Sequence, residues 1–363
     1  MIEAFFTPLI EQKFPNENSK NHFGGNIQIN KKSFPLLDKI KIAIIGLDPA
    51  ANQIRKSLYS LSWRFGNLPI ADLGNIVKPE DQKQQNFAIS EALGELQQMN
   101  IAVILLSGVE APYVSHYHSY RNQTKSLEFV HVTPNVNFTE GSPLNQILKE
   151  EKSNNRWLNF DFIGTQSYFT TEESANILEK YHYENYRLGK IRSDIEEVEP
   201  VLRSSHSLIF DVSAIRHSEL PNSKSPGPNG LYAEEAVAIS RYAGLSNTLN
   251  TFLIHGYNEE INCEISTLLI AQMIWYFVEG VMSKFNDHPQ RNHPDYLIYR
   301  NKLEETGHEI TFYKGNKSNR WWMEIPNPYE DEVFFMGCSY NDYQDVCNGI
   351  MPERWWKAYK RMI

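Results

Sequence analysis

The chain has 363 residues, of which 41% are apolar and 22% charged, an ordinary composition for a globular protein that excludes intrinsic disorder. This length suits one large core with terminal extensions. A formal net charge of -9 excludes a broad nucleic-acid footprint, which needs a basic field to displace counterions.

The three cysteines, Cys263, Cys338 and Cys347, form no CxxC pair, so reduced thiols are expected, with neither a zinc site nor a disulfide framework. Met1 to Phe14 mixes apolar residues with Glu3, Pro8, Glu11 and Lys13 and lacks the basic start of a secretory signal, which makes cytoplasm the expected location. Residues 1–38 are rich in Asn and Lys and are expected to form an irregular N-terminal arm. From Lys39 the pattern settles. Ile40 to Ile45 reads as a strand buried on both faces, followed by a helix over Asn52 to Leu61. Strands over Ile70 to Ile76 and Ile101 to Leu106 flank a helix over Phe87 to Met99. A helix around Tyr113 to Tyr120 precedes strands at Leu127 to Val132 and Phe160 to Gly164. Thr171 caps a helix to Tyr183, Arg187 to Ile191 reads as a short strand, and Asp194 to Leu202 as a short acidic helix with a solvated face.

Strands at Leu208 to Ile215 and Leu249 to Ile254 complete the set, and the helix over Glu264 to Phe285 packs across them. Its apolar stretch from Ile265 contains Gln272 and Glu279, which favours a buried helix over a membrane span. Strands that alternate with helices predict an α/β parallel sheet with helices on both faces. Beyond Asp287 the character changes: short strands at Tyr296 to Tyr299, Glu309 to Tyr313 and Trp321 to Ile325 precede a terminal helix over Asn341 to Met362, bent at Pro352. The expected organisation is thus an arm over 1–38, an α/β domain over 39–286 and an aromatic C-terminal extension over 287–363 packed on it.

The segment Ile209-Phe210-Asp211-Val212-Ser213-Ala214-Ile215 is an apolar strand that delivers an acidic side chain at its carboxyl end, where open α/β sheets build their sites. A Pro-rich loop to Gly230 and the helical run Leu231-Tyr232-Ala233-Glu234-Glu235-Ala236 follow. This arrangement resembles the ureohydrolase family of arginase, agmatinase and formimidoylglutamase. The resemblance covers roughly Lys39 to Phe285 and implies a three-layer arginase-like doubly wound fold. Family members commonly form oligomers, so it also implies a homo-oligomer.

In that family, strand ends give four aspartates and two histidines to a pair of manganese ions, whose bridging hydroxide attacks a guanidinium or amidine carbon. The matching positions here are altered. A Gly-Gly-Asp-His type turn corresponds to Ser107-Gly108-Val109-Glu110, and Asp-Ala-His-x-Asp corresponds to Thr133-Pro134-Asn135-Val136-Asn137. The last aspartate pair corresponds to Asp211 and Ser213, and the substrate-holding glutamate falls at Gly256 in Ile254-His255-Gly256-Tyr257-Asn258. At most Asp211 and Glu110 remain charged, and neutral Thr133, Asn135, Asn137 and Ser213 cannot balance four positive charges in a partly buried site. No metal or other cofactor is therefore expected, with one weak cation site at Asp211 and Glu110 as the exception.

His116 and His118 lie two apart on an expected helix and so point in different directions, which disfavours a shared metal. His131, His206, His217 and His255 each lie near a strand terminus; His131, His217, His255 and Asn258 are the candidate crevice residues, with structural hydrogen bonding as the simpler role for the histidines. Gly46-Leu47-Asp48-Pro49 lacks the glycines of a dinucleotide turn. Arg320-Trp321-Trp322 and Arg354-Trp355-Trp356 serve either a partner surface or the packing of the extension. The expected function is that of a pseudoenzyme that binds a small molecule or serves assembly, with no nucleic-acid or membrane partner. One alternative is a divergent, manganese-dependent amidine or guanidine hydrolase resembling formimidoylglutamase. A second is an interaction scaffold acting through the C-terminal Trp and Arg residues.

Overall fold

A computed structural model describes residues 2–108, 110–122, 126–154, 157–260, 263–287, 289–326 and 333–362. Short apolar runs form strands buried on both faces, because each side of the sheet is covered. Ile42 and Ile44 enter one core layer and Ala43 and Ile45 the other, as the two-residue period of a strand requires.

The strands of the main sheet are β1 (Phe6–Thr7), β2 (Gln28–Ile29), β3 (Ile42–Gly46), β4 (Ile70–Ile76), β5 (Ala102–Leu106), β6 (Ser126–Val132), β7 (Trp157–Thr165), β8 (Asn185–Arg187), β9 (Ser207–Asp211) and β10 (Thr251–His255). Their order is β1-β4-β3-β5-β10-β9-β6-β7-β8, with β2 also paired to β4. All pairings are parallel except that of β1 with β4.

The helices are α1 (Ala50–Tyr59), α2 (Gln82–Gln98), α3 (Tyr113–His118), α4 (Pro143–Asn154), α5 (Glu172–Lys180), α6 (Leu188–Ser193), α7 (Glu199–Ser204), α8 (Ala233–Gly244), α9 (Glu264–Met282), α10 (Tyr340–Cys347) and α11 (Glu353–Met362). Helices α1, α8 and α9 pack on one face of the sheet, α2 on the other. Gly244 permits a close crossing of α8 and α9, since a Cβ there would lie 2.2 Å from the Phe277 carbonyl oxygen. Helix α9 is the one described helix long and apolar enough to cross a membrane, and 56% of its most apolar window is buried inside the protein.

The C-terminal extension forms a separate antiparallel sheet of β11 (Tyr296–Lys302), β12 (Glu309–Gly315), β13 (Trp321–Pro326) and β14 (Val333–Cys338), against which α10 and α11 pack. Trp321, Trp322 and Trp355 are buried, and only Trp356 of the four paired tryptophans is exposed. The Arg203 guanidinium stacks over Trp322 at 4.7 Å and donates to the Trp321 carbonyl at 2.6 Å.

Several local expectations are corrected. The arm contributes β1 and β2 to the sheet edge. Helix α4 begins at Pro143, whose fixed φ suits a first helical position, and buries Leu144, Ile147 and Leu148 at helical spacing. The short strand ends at Arg187, where α6 starts. The acidic segment is not a wholly solvated face: Glu197 pairs with Arg354 at 2.6 Å, and Glu199 pairs with Arg203 and, at 3.2 Å, with Arg320. It is where the extension docks.

Candidate functional site

The carboxyl ends of β5, β6, β9 and β10 converge at one end of the sheet, the usual place for a site in an open α/β fold. Asp211 ends β9 in register with His255 of β10. Its Oδ1 accepts the Ser213 amide at 2.8 Å, which caps the short turn Val212–Ala214. Gly256 has φ +89°, and a Cβ there would lie 2.6 Å from Asp211 Oδ1. The position that the resemblance gives to a substrate-holding glutamate is thus occupied by close backbone.

Tyr113, the first residue of α3, links this end to β6. Its hydroxyl lies 3.2 Å from His255 Nε2, and its ring stacks on His131 at 5.7 Å and 12°. His131 packs in turn on Phe162 at 5.3 Å and is 2% exposed, with its Nε2 making no hydrogen bond among the described residues. Burial pushes the His131 imidazole down to about 3, so it stays neutral. Burial also lowers His255, against the upward pull of the nearby Asp211 carboxylate.

In the turn after β5, Ser107 Oγ donates to the Glu110 carbonyl at 2.5 Å and the Gly108 amide donates to Asp48 at 2.6 Å. Val109 lies outside the described residues. Asp48 also accepts the Ala50 amide at 3.0 Å, and burial raises its carboxyl despite these donors. The Glu110 side chain turns outward to Lys224 Nζ at 3.1 Å. Lys224 comes from the Pro-rich loop, which closes on the β10 end through Lys224 N–H to the Gly256 carbonyl at 2.7 Å and Asn258 N–H to the Asn222 carbonyl at 2.9 Å. That loop is therefore fastened to the β10 end. His217 on it is exposed, with its amide bonded to the Gly227 carbonyl, and Asn258 Oδ1 accepts the Glu260 amide at 3.0 Å.

The remaining sequence candidates serve their own turn. Thr133 Oγ1 donates to the Asn135 carbonyl at 2.9 Å, Asn135 is exposed, and Asn137 Oδ1 accepts from the amide and hydroxyl of Thr139 at 3.0 and 2.6 Å. His116 is buried with Nε2 3.2 Å from Ser207 Oγ, whereas His118 reaches Glu150 at 2.7 Å on the other side of α3. Among the described residues, no three His, Cys, Asp or Glu side chains converge as metal ligands. Asp211 Oδ1 is thus engaged by its own turn, and the exposed Glu110 carboxylate lies beside the Lys224 ammonium.

Beside these residues lies a cavity of about 470 Å³, lined by Asp48, Lys78, Gln82, Glu110, Tyr113 and Tyr257 among others. Asp48, Tyr113 and Lys224 were not among the candidates from sequence. The only local signal for them is position: each directly follows or faces a strand end.

No family model matches the sequence, and no curated protein matches it. Solved structures do. The formiminoglutamase of Trypanosoma cruzi, solved with two Mn2+ ions, has a TM-score of 0.62 at 17% identity, covering 69% of this chain and 99% of that one. Formimidoylglutamase of Bacillus subtilis has a TM-score of 0.60 at 14% identity, covering 71% and 95%. Agmatine ureohydrolase of Thermoplasma volcanium has a TM-score of 0.55 at 16% identity, covering 68% and 91%. The protein has the arginase-like, ureohydrolase fold, and at these identities the likeness is one of fold.

Proposed function

We propose that this ureohydrolase-fold chain does not carry out dimetal hydrolysis and acts instead through a small polar ligand held at the carboxyl end of its sheet. The observation that carries this reading is the fate of the crevice charges. Asp211 accepts its own turn's amide at 2.8 Å, and Glu110 is paired with Lys224 at 3.1 Å. Making a hydroxide at neutral pH takes a strong Lewis acid, and holding two divalent cations takes several carboxylates in one place. Here a lysine ammonium supplies positive charge at the crevice rim. The cavity beside it mixes amide, carboxylate and aromatic walls, a lining suited to a polar small molecule.

The test is metal content by elemental analysis after incubation with excess manganese and desalting. Far less than one ion per chain is expected. Close to two ions per chain would overturn the proposal and favour the other reading, a divergent amidine or guanidine hydrolase like the Trypanosoma cruzi formiminoglutamase that was solved with two Mn2+ ions. Arginine, agmatine and formimidoylglutamate would then be the substrates to assay.

A further inference from the structure

A second cavity, of about 630 Å³, opens at the edge of the sheet, where the carboxyl ends of β7 and β8 meet α5 and helix α11 of the C-terminal extension. The crevice described above lies at β5, β6, β9 and β10, so this is a different place in the fold. Its floor is hydroxylic and amidic: Thr165 and Asn185, whose side-chain oxygens lie 2.5 Å apart, with Ser167 and Thr170 beside them.

The cations on its walls differ in how they are engaged. Lys357 of α11 is held between Glu184 at 3.2 Å and Glu353 at 2.8 Å. The side chain of Arg187, the last residue of β8, makes no ion pair or hydrogen bond among the described residues, and its guanidinium can bind an oxyanion with two parallel donors. His182 sits at a left-handed corner, φ +53°, whose carbonyl accepts Arg361 Nη1 of α11 at 2.8 Å. Burial lowers the His182 imidazole, and the charges that lower it further are all cationic: Arg361, Lys360 and Lys357. Three cations of α11 therefore flank that corner. Glu179 and Glu353 also line the cavity as opposing charges, Glu353 already paired with Lys357, so the far end of a ligand should donate a hydrogen bond rather than carry a second negative charge.

We propose that this seam between the sheet edge and α11 is a binding site for a small oxyanion, a carboxylate or a phosphate, with Arg187 as its principal partner and the hydroxyls of Thr165, Ser167 and Thr170 completing the cradle. The site is independent of whether the other crevice holds metal, so the two readings fail separately.

The experiment is titration calorimetry on the full chain with inorganic phosphate and with acetate, each at constant ionic strength set by chloride. Saturable binding of at least one anion is expected, and which one binds identifies the head group. Arg187→Ala should weaken it at least tenfold, while Arg300→Ala, the same charge change at an exposed position of β11, should leave it unaltered. Histidine NMR gives a second readout: the His182 imidazole should titrate at higher pH with the anion bound, and this rise should vanish in Arg187→Ala. No saturable heat with either anion, or undiminished binding in Arg187→Ala, overturns the proposal.

Discussion

Two buried carboxyls next to α11 carry a consequence that can be measured. Glu128 of β6 is 7% exposed and Asp161 of β7 is 6% exposed, on the sheet face that Arg361 approaches. Burial foremost, and then the charge of Asp161, pushes Glu128 up to about 8, while Arg361 pulls it down. Burial raises Asp161 to about 6, again against Arg361. A carboxyl raised on folding holds its proton more tightly in the folded state. Its contribution to stability is therefore full at acidic pH and is lost as pH rises from the ordinary carboxylate range to about 8. Glu128→Gln removes that loss and should stabilise the protein by about 1–3 kcal/mol at pH 9, with little effect at pH 5, since each tenfold separation of the two states is worth about 1.4 kcal/mol. Thermal melts from pH 5 to 9 decide it, and a difference that does not vary with pH would refute the assignment. At the other end of the sheet, Gly256→Ala meets both a left-handed φ and the Asp211 carboxylate 2.6 Å away. It should cost about 1–3 kcal/mol in chemical denaturation; a neutral result would mean that the Asp211 turn yields easily.

Among the elements, the parallel strands are the legible part. Ile42–Gly46 and Ala102–Leu106 are continuous apolar runs because both their faces are covered, and a sequence shows that directly. Helix α4 is hard to read because a polar run hides a single stripe of Leu144, Ile147 and Leu148 behind a proline start. The acidic segment before α7 misleads for a different reason: charge alone reads as solvated, and its arginine partners come from an extension more than a hundred residues later. The site divides in the same way. Asp211 and Ser213 are found from a local motif, but Tyr113 faces His255 across 142 residues of chain, and that meeting is set by strand order alone. The same docking separates two neighbours on α11. Arg354 is buried between Glu197 and Asp342, whereas Trp356 is 38% exposed. Arg354→Ala leaves buried carboxylates without a counter-charge and should cost about 3–5 kcal/mol, while Trp356→Ala should cost less than about 1 kcal/mol. Denaturant midpoints test the contrast. A reversed order would mean that α11 is held by its aromatic face.

For the whole molecule, the question is whether the extension is a module or part of one folded unit. Its contacts argue for one unit. Arg354 and Arg320 neutralise Glu197 and Glu199, Lys357 neutralises Glu184, and the Trp321 carbonyl takes a donor of Arg203. Gly337 of β14 lies so close to α7 that an added Cβ would be 2.7 Å from the Pro200 carbonyl oxygen. Removing residues 287–363 strips all of these partners at once and leaves Glu184 and Glu197 without these counter-charges and Glu199 with Arg203 alone, a desolvation cost no longer fully offset. The chain ending at residue 286 should therefore lose its cooperative thermal transition, read by circular dichroism, and elute as an expanded or aggregated species in size-exclusion chromatography. An unchanged melting temperature would instead make the extension an appended module and favour the scaffold reading for its tryptophans. Loss of the transition ties the sheet edge to α11 as a single cooperative structure, in which the seam cavity exists only when both halves are folded together.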